Sequence, residues 1–242
     1  MVSSDIKKLI LTALENGEEF DINCFIDSLT EKVGADGTLL FPTYNWDFCK
    51  GKPFDYKKTK PDKVGSLGKA ALKRSDFRRT YHAIYSFAVF GKDQDYLCAM
   101  SNTDSFCTDS PFAYLHKYVK ALQIDVPLSQ CFTFVHYVEQ QVGVPYRFIK
   151  TFTAPYIDAG GHSEVRSYSM YVRYLDANVK NIISPIEDDL AQSGAIKYQE
   201  INEITYSTLM FSDFYNAAEY DIINNDAKKI ASYEKGVTFV EE

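Results

Sequence analysis

A histidine and a glutamate three residues apart are the first residues of this 242-residue chain that could do chemistry. His136 and Glu139 have apolar neighbours, and their separation places both side chains on one face of a helix. A carboxylate in that position can orient the imidazole and raise its basicity, as a general base requires. An incidental surface pair, or a core histidine satisfied by hydrogen bonds, explains the same spacing.

A basic pair, a histidine and an apolar segment follow one another between residues 78 and 91. The backbone amides of Ser86, Phe87 and Ala88 could face an oxygen that gains negative charge, and such donors are worth about 3 kcal/mol each. Arg79 belongs to a group of cations that could bind phosphate, namely Lys69, Lys73, Arg74, Arg78 and Arg79. A basic turn before a core strand and a solvated helix face explain these features without a ligand.

The loop between residues 104 and 111 supplies carboxylates and hydroxyls. Ser110 followed by Pro111 is typical of a helix N-terminus, so capping explains part of this loop. A role of Asp104 and Asp109 in binding a substrate is additional to that capping.

Signatures of several other protein classes are absent from the sequence. It has no phosphate-binding G-x-x-x-x-G-K-[ST] loop, no G-x-G-x-x-G, no G-x-S-x-G and no H-E-x-x-H. The five scattered cysteines predict neither a disulfide framework nor a metal site. The net charge of −7 argues against a nucleic-acid binder and slightly favours a cationic ligand. Without a signal peptide or an apolar run of about 20 residues, we expect a cytoplasmic protein with no membrane insertion.

The elements that must position these residues are predicted from apolar periodicity and turn residues. Helices are predicted over residues 5–14, 21–33, 69–74, 111–120, 129–142 and 186–193, and strands over residues 38–41, 83–90, 147–152, 168–174, 197–201 and 204–211. The chain has no linker, repeat or low-complexity tract, which predicts a single domain spanning residues 1–242. The order of elements predicts a mixed α/β fold with antiparallel strands in the C-terminal third.

Four segments together resemble the aminoglycoside 3-N-acetyltransferase family over roughly residues 2–175. They occur in the family's order, at residues 37–44 (Gly-Thr-Leu-Leu-Phe-Pro-Thr-Tyr), 81–91, 109–112 (Asp-Ser-Pro-Phe) and 132–139. The resemblance implies a three-layer α/β/α fold with a central mixed sheet, acetyl-CoA as donor, no metal, and direct transfer to a small-molecule amine. It makes His136 the base and Glu139 its supporting acid.

The resemblance also implies residues for both ligands. The family's early serine loop matches Ser3 and Ser4, and its pantetheine-facing segment matches the strand after His82. Cofactor contacts are therefore expected from Ser3, Ser4, Arg79, Ser86, Phe87 and Ala88. Acceptor contacts are expected from Tyr44, Asp47, His82, Asp104 and Asp109.

The sequence departs from the family pattern in three places. It begins at the serine loop, it has His82-Ala83-Ile84-Tyr85-Ser86 where the family often has His-Pro-x-His-Ser, and it lacks an acidic residue near 65–73. Residues 45–51 and 136–139 look more like the branch found with surface-polysaccharide genes, which implies an amino-sugar acceptor that is expected to be nucleotide-linked. Two alternatives remain, an aminoglycoside-inactivating resistance enzyme and a catalytically silent ligand-binding or scaffolding relative. The oligomeric state is not readable from the sequence.

Overall fold

The computed structural model describes residues 1–234 and has the predicted mixed α/β class. Its helices are α1 (Lys7–Glu15), α2 (Ile22–Val33), α3 (Ser66–Ala71), α4 (Gln94–Ala99), α5 (Pro111–Tyr118), α6 (Leu128–Cys131), α7 (Val135–Val142), α8 (Ser184–Gln192) and α9 (Phe211–Asn225). Its strands are β1 (Val2–Ser4), β2 (Thr38–Pro42), β3 (Phe54–Asp55), β4 (Arg78–Arg79), β5 (Phe87–Gly91), β6 (Lys120–Ile124), β7 (Arg147–Ile157), β8 (Ser163–Arg173), β9 (Lys180–Asn181), β10 (Lys197–Ile201), β11 (Ile204–Met210) and β12 (Ala231–Ser232). The predicted domain runs to residue 242, and residues 235–242 lie outside the described range.

The strands of residues 1–234 form four sheets rather than one central sheet. The largest is mixed, with the order β1-β6-β11-β10; β1 is parallel to β6 and the other two pairs are antiparallel. Strands β2, β5 and β4 form an antiparallel sheet. Strands β7 and β8 form a long antiparallel hairpin, and the short β3 joins β7 in parallel. Strand β9 pairs with β12.

Strand β2 is buried on both faces, as its unbroken apolar run predicts. Leu40 packs into the larger hydrophobic cluster, whereas Leu39 and Phe41 pack into the smaller one. Beyond the end of β2, Gly68 of α3 packs directly on the backbone of Pro42, so the carboxyl end of this strand and α3 are held close together.

The predicted helix over residues 129–142 is interrupted, and the interruption positions the His–Glu pair. Helix α6 ends at Cys131 and α7 begins at Val135. Between them the Phe132 and Phe134 rings pack on Phe211 of α9, with ring centroids 5.1 and 4.7 Å away. Burial of these two rings in the core stabilises the break between the helices. Because α7 then begins at Val135, His136 lies in its first turn.

Other differences from prediction also have local causes. Strand β5 begins at Phe87 rather than at residue 83, because a turn around His82 occupies the preceding residues. Lys120 starts β6 instead of ending a helix, and α9 was not predicted. Within residues 1–234 no helix has both the length and the apolar character to cross a bilayer.

Candidate active site

His136 and Glu139 are joined on one face of α7, as the sequence predicts. His136 Nδ1 lies 2.6 Å from Glu139 Oε2. Because an ionised carboxylate only accepts hydrogen bonds, the ring proton lies on Nδ1 and the lone pair on Nε2. The Glu139 side chain is fully buried, and that of His136 is 18% exposed, so the histidine reaches solvent while its partner does not.

Arg147 at the start of β7 is the counter-charge of the buried glutamate. Its Nε lies 2.7 Å from the same Oε2 atom, and its Nη2 donates to Asn181 Oδ1 at 2.8 Å. A buried carboxylate is stable as an anion only when such a partner compensates its lost hydration. Sequence spacing did not reveal Arg147, because the chain turns at Gly143 between α7 and β7 and brings the two residues together only in the fold.

The pKa directions of this trio favour a neutral histidine beside an ionised glutamate. Burial lowers the pKa of His136 and the charge of Arg147 lowers it further, whereas the hydrogen bond that His136 donates to Glu139 raises it. Burial alone would raise the pKa of Glu139, but the charge of Arg147 and the hydrogen bond with His136 outweigh it and lower that pKa. A neutral imidazole with a free Nε2 is the protonation state that a general base needs.

His136 opens into a cleft of about 390 Å³ along the β7–β8 hairpin. Its walls include Tyr85, Phe148, Phe152 and Met170, and its charged lining residues are Arg147, Lys150, Arg173 and Asp176. Apolar walls with a few polar groups are typical of a small-molecule site. We call this the hairpin cleft.

A second cleft, of about 510 Å³, lies where β1 leads into α1. Ser3 and Ser4 line it, as do Lys7 of α1 and Lys63, while Tyr44 and Trp46 supply an aromatic wall. Free N–H groups at a helix N-terminus favour phosphate, and an aromatic wall favours a thin apolar chain. We call this the serine cleft.

The two clefts are adjacent near His136. Trp46 Nε1 of the serine cleft donates to the Tyr85 hydroxyl of the hairpin cleft at 3.3 Å. Thr133 lines the serine cleft, and its carbonyl accepts from the backbone N–H of His136 at 3.0 Å. The backbone of His136 is therefore next to the serine cleft, and its imidazole lines the hairpin cleft.

Ser86, Phe87 and Ala88, expected at the cofactor, line neither cleft. All three are completely buried. Ser86 Oγ is 2.8 Å from Thr43 Oγ1, and the Phe87 amide donates to Thr80 Oγ1. These hydrogen bonds connect Ser86 and Phe87 to Thr43 and Thr80, which lie next to β5.

Arg79, expected at the cofactor, is also buried and lines neither cleft. Its guanidinium donates to Thr59 O at 2.6 Å, to Thr43 O at 3.0 Å and to Ser86 Oγ at 2.9 Å. With its donors engaged, it organises the loops behind the serine cleft. The neighbouring Arg74 and Arg78 are paired with aspartates. Lys69 and Lys73, the other members of this cluster, line a separate cleft of about 350 Å³ together with Lys57, Lys58 and Lys60.

His82, expected at the acceptor, supports a turn in the core. Its Nδ1 accepts from the amides of Ile84 and Tyr85 at 3.2 and 3.1 Å, and its Nε2 lies 3.4 Å from Ser105 Oγ. Burial lowers its pKa to about 3, so the ring is neutral. Its effect on the clefts is indirect, through the position of Tyr85.

The other expected acceptor residues lie outside the hairpin cleft. Tyr44 lines the serine cleft instead. Asp47 is paired with Lys50 and Lys52 at 3.0 and 3.1 Å, and Asp104 accepts from Gln140 Nε2 at 3.0 Å and braces α7. Asp109 is exposed and lines neither cleft. Among residues 1–234 no three His, Cys, Asp or Glu side chains are grouped to hold a metal ion.

Several solved structures share this fold. A structure described as AAC-IIIb in a binary complex with CoASH superposes with a TM-score of 0.77 at 17% identity, over 98% of this chain and 91% of that one. The YokD protein from Bacillus subtilis gives 0.72 at 16% identity, over 94% and 87%. Sisomicin-bound AAC-VIa gives 0.72 at 18% identity, over 93% and 91%. Because the sequence identities are only 16–18%, these similarities establish a shared fold and nothing more.

The sequence itself matches a family model. No curated protein matches the chain. The model described as aminoglycoside 3-N-acetyltransferase matches residues 1–221, which includes every residue of both clefts. The chain therefore belongs to the aminoglycoside 3-N-acetyltransferase family and is an N-acetyltransferase.

Proposed function

We propose that the protein transfers the acetyl group of acetyl-CoA to an amine of an amino sugar, with His136 as the general base. The observation that carries this proposal is the imidazole in the hairpin cleft, next to the serine cleft, with Nδ1 fixed by Glu139 and no hydrogen bond to Nε2 from residues 1–234. A base with one nitrogen fixed and the other open is suited to taking a proton from an attacking amine.

The serine cleft fits acetyl-CoA in its chemistry. Gly65 lies close to the backbone of Ser4, and an added Cβ would be only 2.8 Å from the Ser4 carbonyl oxygen. A larger residue at position 65 would therefore crowd this wall of the cleft. Lys63 and Lys7 supply cations that suit the phosphates, and Tyr44 and Trp46 suit the pantetheine arm. Asp5 also lines this cleft; its carboxylate accepts from the Lys7 amide at 3.0 Å and lies 3.5 Å from the Lys7 ammonium group. Acetyl-CoA supplies a thioester carbonyl that an amine can attack.

The protein's own residues then act on the acceptor. His136 Nε2 takes one proton from the amine as the nitrogen–carbon bond forms, and the imidazolium gives that proton to the thiolate that leaves as the carbon–sulfur bond breaks. Glu139 stabilises the imidazolium formed in this step, while Arg147 keeps Glu139 ionised. Apolar walls from Phe148, Phe152 and Met170 limit water around the attacking nitrogen.

Among amino-sugar acceptors, the comparisons favour aminoglycosides over a sugar for surface polysaccharide. Similar structures are those of aminoglycoside acetyltransferases, two of them described with sisomicin and one with apramycin. The test panel therefore contains aminoglycosides as well as free and nucleotide-linked amino sugars, with release of the CoA thiol as the readout.

His136→Gln decides the catalytic part. We expect it to lower kcat by about a hundredfold to ten-thousandfold, the usual contribution of a positioned base, with little change in acetyl-CoA binding by calorimetry. His116→Gln is the matched control, because His116 stacks on Tyr215 at 3.9 Å and lines neither cleft. Full activity of His136→Gln would contradict the base assignment, and an absence of acetyl-CoA binding by the unmodified protein would favour the catalytically silent alternative.

A further inference from the structure

Five lysines surround a cleft that the catalytic trio does not use. The cleft has a volume of about 350 Å³, and within residues 1–234 its charged lining residues are all lysines. They come from the loop after β3 and from α3 with the turn that follows it, and they are Lys57, Lys58, Lys60, Lys69 and Lys73. We call this the lysine cleft. It is distinct from the hairpin and serine clefts, since none of its lining residues lines either of those.

Most of this positive charge has no counter-charge in the protein. Lys58 lies 3.6 Å from Asp55, a carboxylate that also accepts from the backbone amides of Lys57 and Lys58. Asp55 and Asp62, the carboxylates next to the loop in sequence, do not line the cleft. The remaining ammonium groups form no ion pair or hydrogen bond with residues 1–234, and they are those of Lys57, Lys60, Lys69 and Lys73. These like charges around one cleft repel one another until an anion compensates them.

The loop that carries Lys57, Lys58 and Lys60 is held by buried donors. The buried Arg79 guanidinium donates to the Thr59 carbonyl at 2.6 Å, and the buried Asn45 side chain donates to the Lys60 carbonyl at 3.0 Å. Because these bonds order the backbone before a ligand arrives, binding does not carry the free-energy cost of ordering the loop.

Helix α3 supplies the remaining lysines. Lys69, Leu72 and Lys73 are spaced i, i+3 and i+4, which places them on one helix face, and all three line the cleft. The amide of Lys73 donates to the Ala70 carbonyl at 3.0 Å, so the helical turn continues beyond the end of α3. Since α3 itself packs closely on the end of β2, both groups of lysines are attached to ordered backbone.

We propose that the lysine cleft binds a small anion with two or more linked phosphate groups. Ammonium groups are strong partners of phosphate oxygens, and a cleft lined by one sign of charge concentrates ions of the opposite sign. An anion with several phosphates can contact lysines of the loop and of α3 together, which a single carboxylate cannot. The cleft has the volume of a small-molecule site, whereas the net charge of −7 disfavours a nucleic acid.

Such an anion could come from two sources. One is the nucleotide end of acetyl-CoA, because Ser66 lines the serine cleft and Lys69 is only one helical turn further along α3. The other is a separate nucleotide or an inorganic polyphosphate. The inference itself does not depend on the proposed function, since inorganic triphosphate tests the cleft without acetyl transfer.

Inorganic triphosphate is the probe, and calorimetry at low salt gives its Kd. The double variant Lys60→Glu/Lys69→Glu should raise this Kd by about tenfold or more, because each exposed ion pair is worth up to about fivefold and the reversed charges also repel the anion. Lys60→Arg/Lys69→Arg retains both charges and should bind within about twofold of the unmodified protein. Lys197→Glu is the matched control, because Lys197 is exposed on β10 and lines none of the three clefts.

Lys63→Glu tests whether triphosphate binds in the serine cleft instead. The inference is overturned if the unmodified protein binds no triphosphate at millimolar concentration, if Lys60→Glu/Lys69→Glu leaves the Kd unaltered, or if only Lys63→Glu weakens binding.

Acetyl-CoA distinguishes the two sources of the anion. If saturating acetyl-CoA abolishes triphosphate binding and acetyl-pantetheine does not, the cleft holds the phosphates of the cosubstrate. If triphosphate binds equally well in the presence of acetyl-CoA, the ligand is a separate anion. His136→Gln should leave the Kd of triphosphate unchanged, so failure of the catalytic assignment and failure of this inference give different results.

Discussion

One carboxylate oxygen of Glu139 lies close to two partners in the candidate site. Oε2 is 2.6 Å from His136 Nδ1 and 2.7 Å from Arg147 Nε, with the carboxylate fully buried. Arg147 and Glu139 therefore act on the imidazole in opposite directions: the arginine lowers its pKa and the glutamate raises it. The balance keeps the base neutral and its orientation fixed.

Glu139→Gln should weaken the base in a way that a pH profile detects. The change removes the negative charge that raises the pKa of His136 and leaves a neutral amide acceptor for Nδ1, while the charge of Arg147, which lowers this pKa, remains. We expect kcat/KM to fall about tenfold to a hundredfold and its acid limb to move to lower pH. The measurement is the pH dependence of acetyl transfer on one acceptor.

Glu139→Gln also leaves Arg147 buried without its counter-charge. Removing one partner of a buried ion pair costs about 3–5 kcal/mol of stability. The double variant Glu139→Gln/Arg147→Met removes the unpaired charge and should recover part of this stability in urea unfolding. An acid limb that moves to higher pH in both variants would contradict the proposed electrostatics.

His82 predicts an acid-sensitive fold. Burial lowers its pKa to about 3, so between the ordinary pKa near 6.5 and this value the unfolded chain binds a proton that the folded chain does not. The resulting stability is complete above about pH 6.5 and is lost as the pH falls, by roughly 1 kcal/mol per pH unit from this residue. His82→Asn retains an acceptor for the turn amides but does not titrate. Urea unfolding between pH 6 and 4 should therefore give a shallower pH slope for the variant, and equal slopes would refute the prediction.

At the scale of elements, long periodic segments were predictable and their interruptions were not. Helix α2 and strand β10 follow from apolar periodicity and turn residues, and Asp21 caps α2 by accepting from the amides of Asn23 and Cys24. The break between α6 and α7 was not predictable, because its cause is the packing of Phe132 and Phe134 on Phe211, far along the chain. Helix α5 ends at Tyr118, two residues before the predicted end, for a similar reason: Lys120 pairs with Met210 in a sheet.

The candidate site divides in the same way. Local spacing pairs His136 with Glu139, and Ser3 and Ser4 line a cleft as the family resemblance implies. Arg147 had no local signal, because only the fold brings its guanidinium beside Glu139. His82 and Arg79 have residue types that suggest ligands, yet their burial and backbone partners were visible only in three dimensions.

The contact of α3 with β2 makes Gly68 a sensitive position. A Cβ there would lie 2.3 Å from the Pro42 carbonyl oxygen and 3.2 Å from Thr43 Cγ2, in a buried contact with rigid backbone. Gly68→Ala should lower the free energy of unfolding by about 1–3 kcal/mol, as overpacking does. It should also weaken acetyl-CoA binding, because Pro42 and Ser66 line the serine cleft. Gly160→Ala is the control, since its only close neighbour is the Asp158 side chain at 3.2 Å, and equal stability of the two variants would contradict this account.

Across the whole molecule, charge is distributed very unevenly. Residues 50–79 contain eleven basic and three acidic side chains, a net charge of +8, whereas the other residues contain fifteen basic and thirty acidic ones. Residues 63–66, which line the serine cleft, belong to this basic segment. An anionic cosubstrate approaching a protein of net charge −7 would therefore meet a local field of the opposite sign.

This asymmetry predicts that salt weakens acetyl-CoA binding although protein and ligand are both anionic. Exposed ion pairs contribute about 0.2–1 kcal/mol each and are screened as the Debye length falls from roughly 10 Å at 0.1 M salt. With Lys7 and Lys63 at the serine cleft, raising the salt from about 0.05 to 0.5 M should increase the Kd of acetyl-CoA by roughly twofold to thirtyfold. Acetyl-pantetheine, which lacks the nucleotide phosphates, should bind with a nearly constant Kd, and Lys63→Glu should reduce the salt dependence where Lys197→Glu does not. If salt strengthened acetyl-CoA binding, this prediction would be contradicted. Screening would then reduce the repulsion between an anionic protein and an anionic ligand, and the phosphates could not lie beside these lysines.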